Sequence, residues 1–211
     1  ILDKIKTTAE EFNNGISKVI NFADTDELRP IMNSVSIETV PGEIIFVSSN
    51  GYGLGLFKRK NKRCTETCSV VISRQIASVL KGLIPLSEEE LVIKVGSDWS
   101  EISFEDYEIS FRNVEGRYPN WRAVVPKSNN LELKADTKLL LGAIKRTSVF
   151  SSKVSCLIKL SASYDKLVVS AQDLDYSTSA EETIPVEFGE KEFVIGVKAT
   201  LIQDMLSGIN D

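Results

Sequence analysis

The side chains able to do covalent chemistry are few. There are three thiols, Cys64, Cys68 and Cys156, and no histidine anywhere in 211 residues. Cys64 and Cys68 stand four apart, but one further cysteine and no imidazole cannot complete a zinc set of the usual kind. Reduced, incidental thiols are therefore expected, together with a cytosolic compartment. Without histidine a Ser-His-Asp mechanism has no base, and general acid–base work near neutral pH loses its usual carrier. Gly51-Tyr52-Gly53-Leu54-Gly55 is the nearest approach to a phosphate-binding loop, yet no Lys-Ser/Thr follows and the segment falls in a strand pattern. We expect no enzyme, no metal and no cofactor. Recognition is a different matter. Val114 to Pro126 carries Tyr118, Trp121, Pro119, Pro126, Arg117, Asn120 and Arg122 directly after an alternating strand. Proline at 119 and 126 biases Tyr118 and Val125 away from helix, so a rigid, extended binding surface or inter-domain brace is expected.

Elements to position these residues follow from periodicity. Thr8-Ala9-Glu10-Glu11 reads as a capping box, opening a helix with Phe12, Ile16, Val19, Ile20 and Ala23 on one stripe. Strands are expected over 35–40, 43–48 and 52–60, with Pro41-Gly42 as a turn. A strand at 69–72 then feeds a helix capped by Ser73 and ended by Gly82 and Pro85. Three more strands lie near 90–95, 98–104 and 107–113. The order strand–helix–three strands thus occurs twice, and it restarts after Pro126. There a strand over 131–134 leads to a helix from Asp136 through Phe150, strands near 155–162, 165–171 and 175–184, and Phe193-Val194-Ile195. A last helix carries Leu201, Ile202, Met205, Leu206 and Ile209. Ile16 and Phe22 match Ile144 and Phe150 at one offset, and Val71-Ile72 matches Val194-Ile195. The expectation is an α+β fold of repeated strand-helix-three-strand units, with helices on one face of antiparallel sheets. Residues 1–126 form one complete domain and 127–211 a partial second copy.

The apolar fraction of 42% suits a protein with a real core. No apolar run approaches the ~20 residues of a membrane span, and the charged opening Ile1 to Lys6 is not a signal peptide. Because the chain does not open with Met, we expect a piece of something longer. The net charge of −5 argues against a nucleic-acid binder, but its distribution argues for one. The second helix carries Arg74 and Lys81 and no acid, and the third carries Lys138, Lys145 and Arg146. The first shows mainly Asn13, Asn14, Ser17, Lys18 and Asn21. Acids gather on strands and turns, as at Glu88 to Glu90, Glu101, Glu181, Glu182 and Glu187. Helices would present a neutral-to-basic face, which attracts phosphate diffusely without reading bases.

Four stretches together resemble the DNA polymerase III β subunit, the bacterial sliding clamp family. They are Asp26-Glu27-Leu28-Arg29-Pro30-Ile31-Met32-Asn33, Val47 to Leu54, Glu115 to Pro126, and Arg146-Thr147-Ser148-Val149-Phe150-Ser151-Ser152-Lys153. Their order and spacing match the family's middle domain and the first part of its last one. The resemblance implies a DNA clamp fold, in which protomers close head-to-tail around duplex DNA, helices inward. It also implies a groove between the second and third domains that catches linear peptides of polymerase and clamp-loader subunits and of repair proteins. Carried over, the groove residues are Met32, Ser49, Gly51, Tyr52, Gly53, Leu54, Pro119, Ala123 and Val124. Val149 and Phe150 would face a second protomer, and Arg29, Arg74, Lys81, Lys145, Arg146 and Lys198 would face DNA. Asn50, Tyr52, Gly53 and Ala123 depart from the family's usual residues, which implies an altered affinity for the usual clamp-binding peptide. Two other readings stand beside this one: a clamp-like adaptor that never encircles DNA, and a nucleic-acid-modifying α+β domain.

Overall fold

In the computed structural model, which describes residues 3–190 and 192–208, Thr8 accepts a hydrogen bond from the Glu11 amide at 3.1 Å and starts helix α1 (Ala9–Val19). Only half of the expected capping box forms. The Glu11 carboxylate turns instead to the Thr7 hydroxyl (2.5 Å) and the Asn61 side-chain amide (2.7 Å). Phe12, Ile16 and Val19 are fully buried, as their stripe requires. Asn13, expected on the polar face, is buried as well, and its amide donates to Lys81 O (2.9 Å) and Ile84 O (2.7 Å). Those carbonyls belong to the end of α2 (Arg74–Leu83), so Asn13 satisfies groups that a helix terminus otherwise leaves open. Gly82 lies inside the last turn of α2 rather than after it.

The chain divides into one unit ending at Val124 and a second beginning at Val125. In the first, β1 (Asp3–Thr8), α1 and the strands β2 (Ser34–Val40), β3 (Glu43–Ser49) and β4 (Leu54–Lys60) form one repeat. The other comprises β5 (Cys68–Ser73), α2, β6 (Glu90–Val95), β7 (Trp99–Phe104) and β8 (Tyr107–Arg112). The repeats exchange their first strands: the sheets run β4-β3-β2-β5 and β1-β6-β7-β8, all antiparallel, with Ile5 opposite Ile93 and Val35 opposite Ile72. One hydrophobic core therefore spans both repeats, from Ile5 and Phe12 to Ile93 and Ile102.

The second unit holds β9 (Leu133–Lys134), α3 (Thr137–Ser148), β10 (Leu157–Ser163), β11 (Lys166–Asp173), β12 (Thr178–Pro185), β13 (Glu187–Phe188), β14 (Phe193–Lys198) and α4 (Ala199–Ser207). Its main sheet, β12-β11-β10-β14, repeats the order β4-β3-β2-β5. β9 is shorter than the expected 131–134 and pairs with β13. Ile209, expected on the last helix, lies outside the described residues. The helix caps Thr8 and Asp136 are 128 apart, which keeps Ile16 on Ile144. The strand match needs correction. Ser73 and Lys198, which precede α2 and α4 at equivalent register, place Val71-Ile72 on Gly196-Val197, two residues beyond the expected pair. A shift of two preserves the faces of a strand, so alternation hides it. Leu133, Leu140, Leu160, Leu167 and Ile195 border an apolar hollow of about 520 Å³. Their counterparts Ile5, Phe12, Ile37, Ile44 and Val70 lie closed in the first unit's core.

Single atoms set how close helix and sheet approach. A methyl at Gly15 would collide with the buried Phe46 ring. The equivalent pair in the second unit is Ala143 and Val169, a larger residue on the helix and a smaller one on the strand. Helix propensity alone would favour Gly15→Ala by about 1 kcal/mol, but overpacking typically costs about 1–3 kcal/mol. We expect Gly15→Ala to destabilise the first unit, and to become neutral or favourable in a Phe46→Val background. Both tryptophans, Trp99 and Trp121, sit in that unit. Urea unfolding followed by their fluorescence therefore measures it, and an unchanged penalty in the double variant would refute the steric account.

Candidate functional site

Glu38 sits on β2 with its side chain opposite to the core-facing Ile37, in a cross-strand row with Ile45 and Lys58. Its two oxygens hold the 114–124 loop. The Trp121 indole N–H donates to Oε1 at 3.0 Å, and Arg122 pairs with Oε2 at 2.9 Å. The Arg122 guanidinium stacks 4.1 Å from the Trp121 ring, and Lys58 approaches the same ring at 5.4 Å. At the loop's start the Val114 amide donates to Val71 O (2.9 Å). The consequence shows on the sheet: Ser36, Ile45 and Val47 face away from the main core and are nonetheless buried. The aromatic loop is a lid on one sheet face.

Fixing that loop draws three segments together. Gly116 (φ +106°) packs against Ile31, since a Cβ built there would lie 3.5 Å from Ile31 Cγ1. Gly51 (φ +88°) lies beside the Arg29 guanidinium in the same sense, at 3.8 Å. Tyr118 is half-buried beside the Ser49 backbone, its hydroxyl outside ordinary hydrogen-bond geometry. Burial pushes the Tyr118 phenol up to about 12, against a smaller opposing influence from the Ser49 amide. The β3–β4 tip is self-supporting. Asn50 Oδ1 accepts from the Tyr52 (3.0 Å) and Gly53 (2.9 Å) amides, while the Ser49 hydroxyl accepts from Gly51 N and donates to Gly53 O (2.8 Å). Asn50, a departure from the family pattern, thus builds the turn. The outcome is a surface with Met32 and Leu54 half-buried, and with Pro119, Ala123, Val124 (69% exposed) and Tyr52 (87% exposed) open to solvent. Such a surface can bury apolar anchors of a short chain.

The six expected DNA-facing cations separate into two groups. Arg29 pairs with Asp24 at 2.9 Å, and Arg146 grips Glu182 through two bonds of 2.9 and 2.6 Å. The Glu182 hydrogen bond raises the Arg146 pKa, and that bond in turn holds the Glu182 carboxyl below its ordinary range. Arg74, Lys81, Lys145 and Lys198 form no ion pair among the described residues, and Arg74 and Lys81 border a polar hollow of about 470 Å³ with Asn21, Asn33 and Ser78. Val149 (76% exposed) and Phe150 (41%) stand at the end of α3, whereas Phe22 at the matching place is buried. A glycine explains the difference. Phe22 packs on Gly55, where an added Cβ would lie 2.5 Å from its ring, and the residue in register in the second unit is Ala180. The thiols are scattered. Cys64 and Cys68 are buried in the first core, with pKa values pushed to about 11 mainly by desolvation, and Cys156 lies in the second unit. Among the described residues no cluster of His, Cys, Asp or Glu could hold a metal ion. Sequence reasoning missed Glu38, which carries no local signal. It also passed over Lys58-Arg59-Lys60-Asn61-Lys62-Arg63, a run plain in the composition.

Two family models match the chain. One described as DNA polymerase III beta subunit, central domain, covers residues 6–120; one described as the C-terminal domain of the same subunit covers 122–211. The beta sliding clamp of Salmonella typhimurium is 25% identical over 183 residues, taking in 87% of this chain and 50% of the relative. That of Synechococcus elongatus is 23% identical over 99% of this chain and 57% of the relative. The chain thus spans about half the length of the relatives it matches. Among solved structures, a DnaN sliding clamp from Pseudomonas aeruginosa bound to griselimycin superposes with a TM-score of 0.94 at 20% identity, covering 99% of this chain and 56% of that one. A putative DNA polymerase III beta subunit from Eubacterium rectale gives 0.91 at 18%, over 99% of this chain and 57% of its own. These likenesses show the fold.

Two measurements test the local chemistry. Tyr118 favours its neutral form in the fold, so its contribution is complete below the unfolded phenol pKa of about 10 and is lost as pH rises toward 12. Absorbance titration should show a late-ionising tyrosine step, and Tyr118→Phe should remove it. A thiol reagent at pH 8 should label Cys156 alone in the folded chain. Labelling of Cys64 or Cys68 at a comparable rate would contradict their burial.

Proposed function

The chain belongs to the DNA polymerase III beta subunit family, and from that membership we propose that it forms part of a non-catalytic sliding clamp that encircles duplex DNA during replication. It tethers polymerase and clamp-loader subunits through their linear peptides. The observation that carries this reading is the convergence of segments 24–33, 49–54 and 116–124 on one surface of the first unit. There half-buried Met32 and Leu54, with exposed Pro119, Ala123, Val124 and Tyr52 and the turn residues Ser49, Gly51 and Gly53, supply the contacts for a partner peptide. Met adapts its shape to several partners. Two or three apolar anchors give affinities in the micromolar range, about −8 kcal/mol, which lets partners exchange. DNA is held without sequence preference by Arg74, Lys81, Lys145 and Lys198, cations that form no ion pair among the described residues. Val149 and Phe150 meet a second protomer. The compartment is the cytoplasm; no helix among the described residues is long and apolar enough to cross a membrane.

The ion pairs at Arg29 and Arg146 favour a second reading, an adaptor that docks peptides without encircling DNA, because they remove two cations from phosphate contact. One pair of experiments separates the two. Val124→Asp should weaken binding of a fluorescent clamp-binding peptide at least tenfold in anisotropy titrations under either reading. Lys81→Glu with Lys145→Glu should reduce salt-sensitive retention of the complete gene product on circular DNA only if it encircles the duplex. Unchanged retention leaves the adaptor.

A further inference from the structure

The dipeptide Asn-Gly occurs at Asn14-Gly15 and at Asn50-Gly51, and the fold treats the two oppositely. It is the sequence best able to modify itself, because glycine puts no side chain beside the peptide nitrogen that can attack the asparagine carboxamide. Asn14-Gly15 lies inside α1, where helical hydrogen bonding engages the Gly15 amide. Gly15 is buried so close to the Phe46 ring that no Cβ would fit, and its backbone cannot leave the helix without opening the core. Asn50-Gly51 lies in the β3–β4 tip, outside every helix and strand. Gly51 is exposed at φ +88°, and a Cβ built there would meet only Arg29 Nη2, at 3.8 Å.

The tip supplies what that attack needs. Oδ1 of Asn50 accepts from the Tyr52 amide at 3.0 Å and the Gly53 amide at 2.9 Å. Two N–H donors at that range polarise the Cγ carbonyl and stabilise negative charge developing on Oδ1. Nδ2, the leaving nitrogen, has no hydrogen-bond partner among the described residues. The Gly51 amide donates to the Ser49 hydroxyl at 3.1 Å rather than to a ladder carbonyl. Pairing of β3 with β4 ends at Ser49 opposite Leu54, so releasing that amide breaks no sheet bond. Every protein atom involved belongs to residues 49–53.

We propose that Asn50-Gly51 is a self-modification site, at which the carboxamide is converted to aspartate and isoaspartate with loss of ammonia. Hydroxide removes the Gly51 amide proton, and the nitrogen bonds to Asn50 Cγ while the carbonyl electron pair moves onto Oδ1. The pair returns, the Cγ–Nδ2 bond breaks, and Nδ2 leaves as ammonia with a proton from water, closing a five-membered succinimide. Water then opens the ring. Cleavage between Cγ and the Gly51 nitrogen gives aspartate on the original chain. Cleavage between that nitrogen and the Asn50 carbonyl carbon gives isoaspartate, with one extra atom in the main chain. Nothing is oxidised or reduced. Either product adds a negative charge to the tip, and isoaspartate also gives up the turn that Oδ1 builds. On the proposed reading of this surface as a peptide site, the lengthened tip displaces Tyr52 and Gly53, so affinity for partners falls with the age of the molecule.

The test incubates the 211-residue chain at mildly alkaline pH and follows it by peptide mass mapping. Asn50 should become about one dalton heavier at least tenfold faster than Asn14, with ammonia released in equal amount and a rate that rises in proportion to hydroxide. Unfolding in urea should remove the difference between the two positions. Gly51→Ala should slow the change at Asn50 at least tenfold, and Asn50→Gln, whose closure needs a six-membered ring, should abolish it there; tryptophan fluorescence shows that both variants remain folded. Equally slow conversion of Asn14 and Asn50 in the folded chain would overturn the proposal, as would conversion undiminished by Gly51→Ala. Chain modified at Asn50, separated from fresh chain by anion exchange, should bind a fluorescent clamp-binding peptide at least fivefold more weakly in anisotropy titrations. Conversion with unchanged affinity would overturn the effect on docking. A fresh chain that binds no peptide counts against the proposed function alone, since the mass measurement stands without it.

Discussion

The Glu38 carboxylate is the constraint on which the candidate surface rests. It projects from the middle of β2 toward the side a sheet usually gives to solvent, and it accepts an indole N–H from Trp121, 83 residues away in sequence, and a guanidinium N–H from Arg122. A largely shielded acceptor of this kind costs about 1–3 kcal/mol if its donors are removed, and of the two donors Trp121 is buried while Arg122 is half exposed. With the bond in place, the loop covers Ile45 and Val47, seats Gly116 on Ile31, and brings Tyr118 to Ser49. Without it, the sheet would present an apolar face to water, and segments 24–33 and 49–54 would lose their common neighbour.

The second unit shows what the same framework does without that constraint. The positions of Ser36, Glu38, Ile45 and Val47 are occupied there by Lys159, Ser161, Val168 and Ser170, a more polar set. The helix side is tuned by exchanges of a single methyl. Gly15 with Phe46 becomes Ala143 with Val169, and the helix seats on the sheet in both. Gly55 becomes Ala180 without a compensating reduction of the aromatic, and Phe150 is left at the surface where Phe22 is buried. A change of one carbon on a strand is enough to turn a core residue into a candidate contact.

Much of the fold was legible from local chemistry. Thr8, Ser73 and Asp136 announce three helices and cap them as expected, each accepting from the amide three residues on. Alternation located the strands of the first unit to within about two residues; in the second it set the start of β12 and the end of β14 three residues early and gave no sign of the two-residue β13. What the chain could not disclose is partnership. Ile5 pairs with Ile93, and nothing in either strand's pattern names the other, because a period of two specifies a face and not a neighbour. The same holds for Glu38 and Trp121, and for the acids that claim Arg29 and Arg146. The family resemblance placed the groove residues at positions whose local geometry, a glycine with positive φ or an exposed proline, periodicity alone does not assign. The charge of Lys58 to Arg63 was open to view; that it begins on the outermost strand of the described sheet required the sheet order.

The exchange of first strands between the two repeats also sets a schedule for synthesis. Within the first unit β1 is made before the other strands but finds its neighbour only when residues 90–95 exist. At about 5–20 residues per second, the interval is on the order of 5–20 s, long compared with the microseconds in which a hairpin such as β2–β3 closes. Throughout that wait β1 lacks the strand that it pairs with in this unit. Its alternation of Lys4 and Lys6 with Ile5 is then a safeguard for a nascent chain, holding the segment in water until the second repeat arrives to claim it.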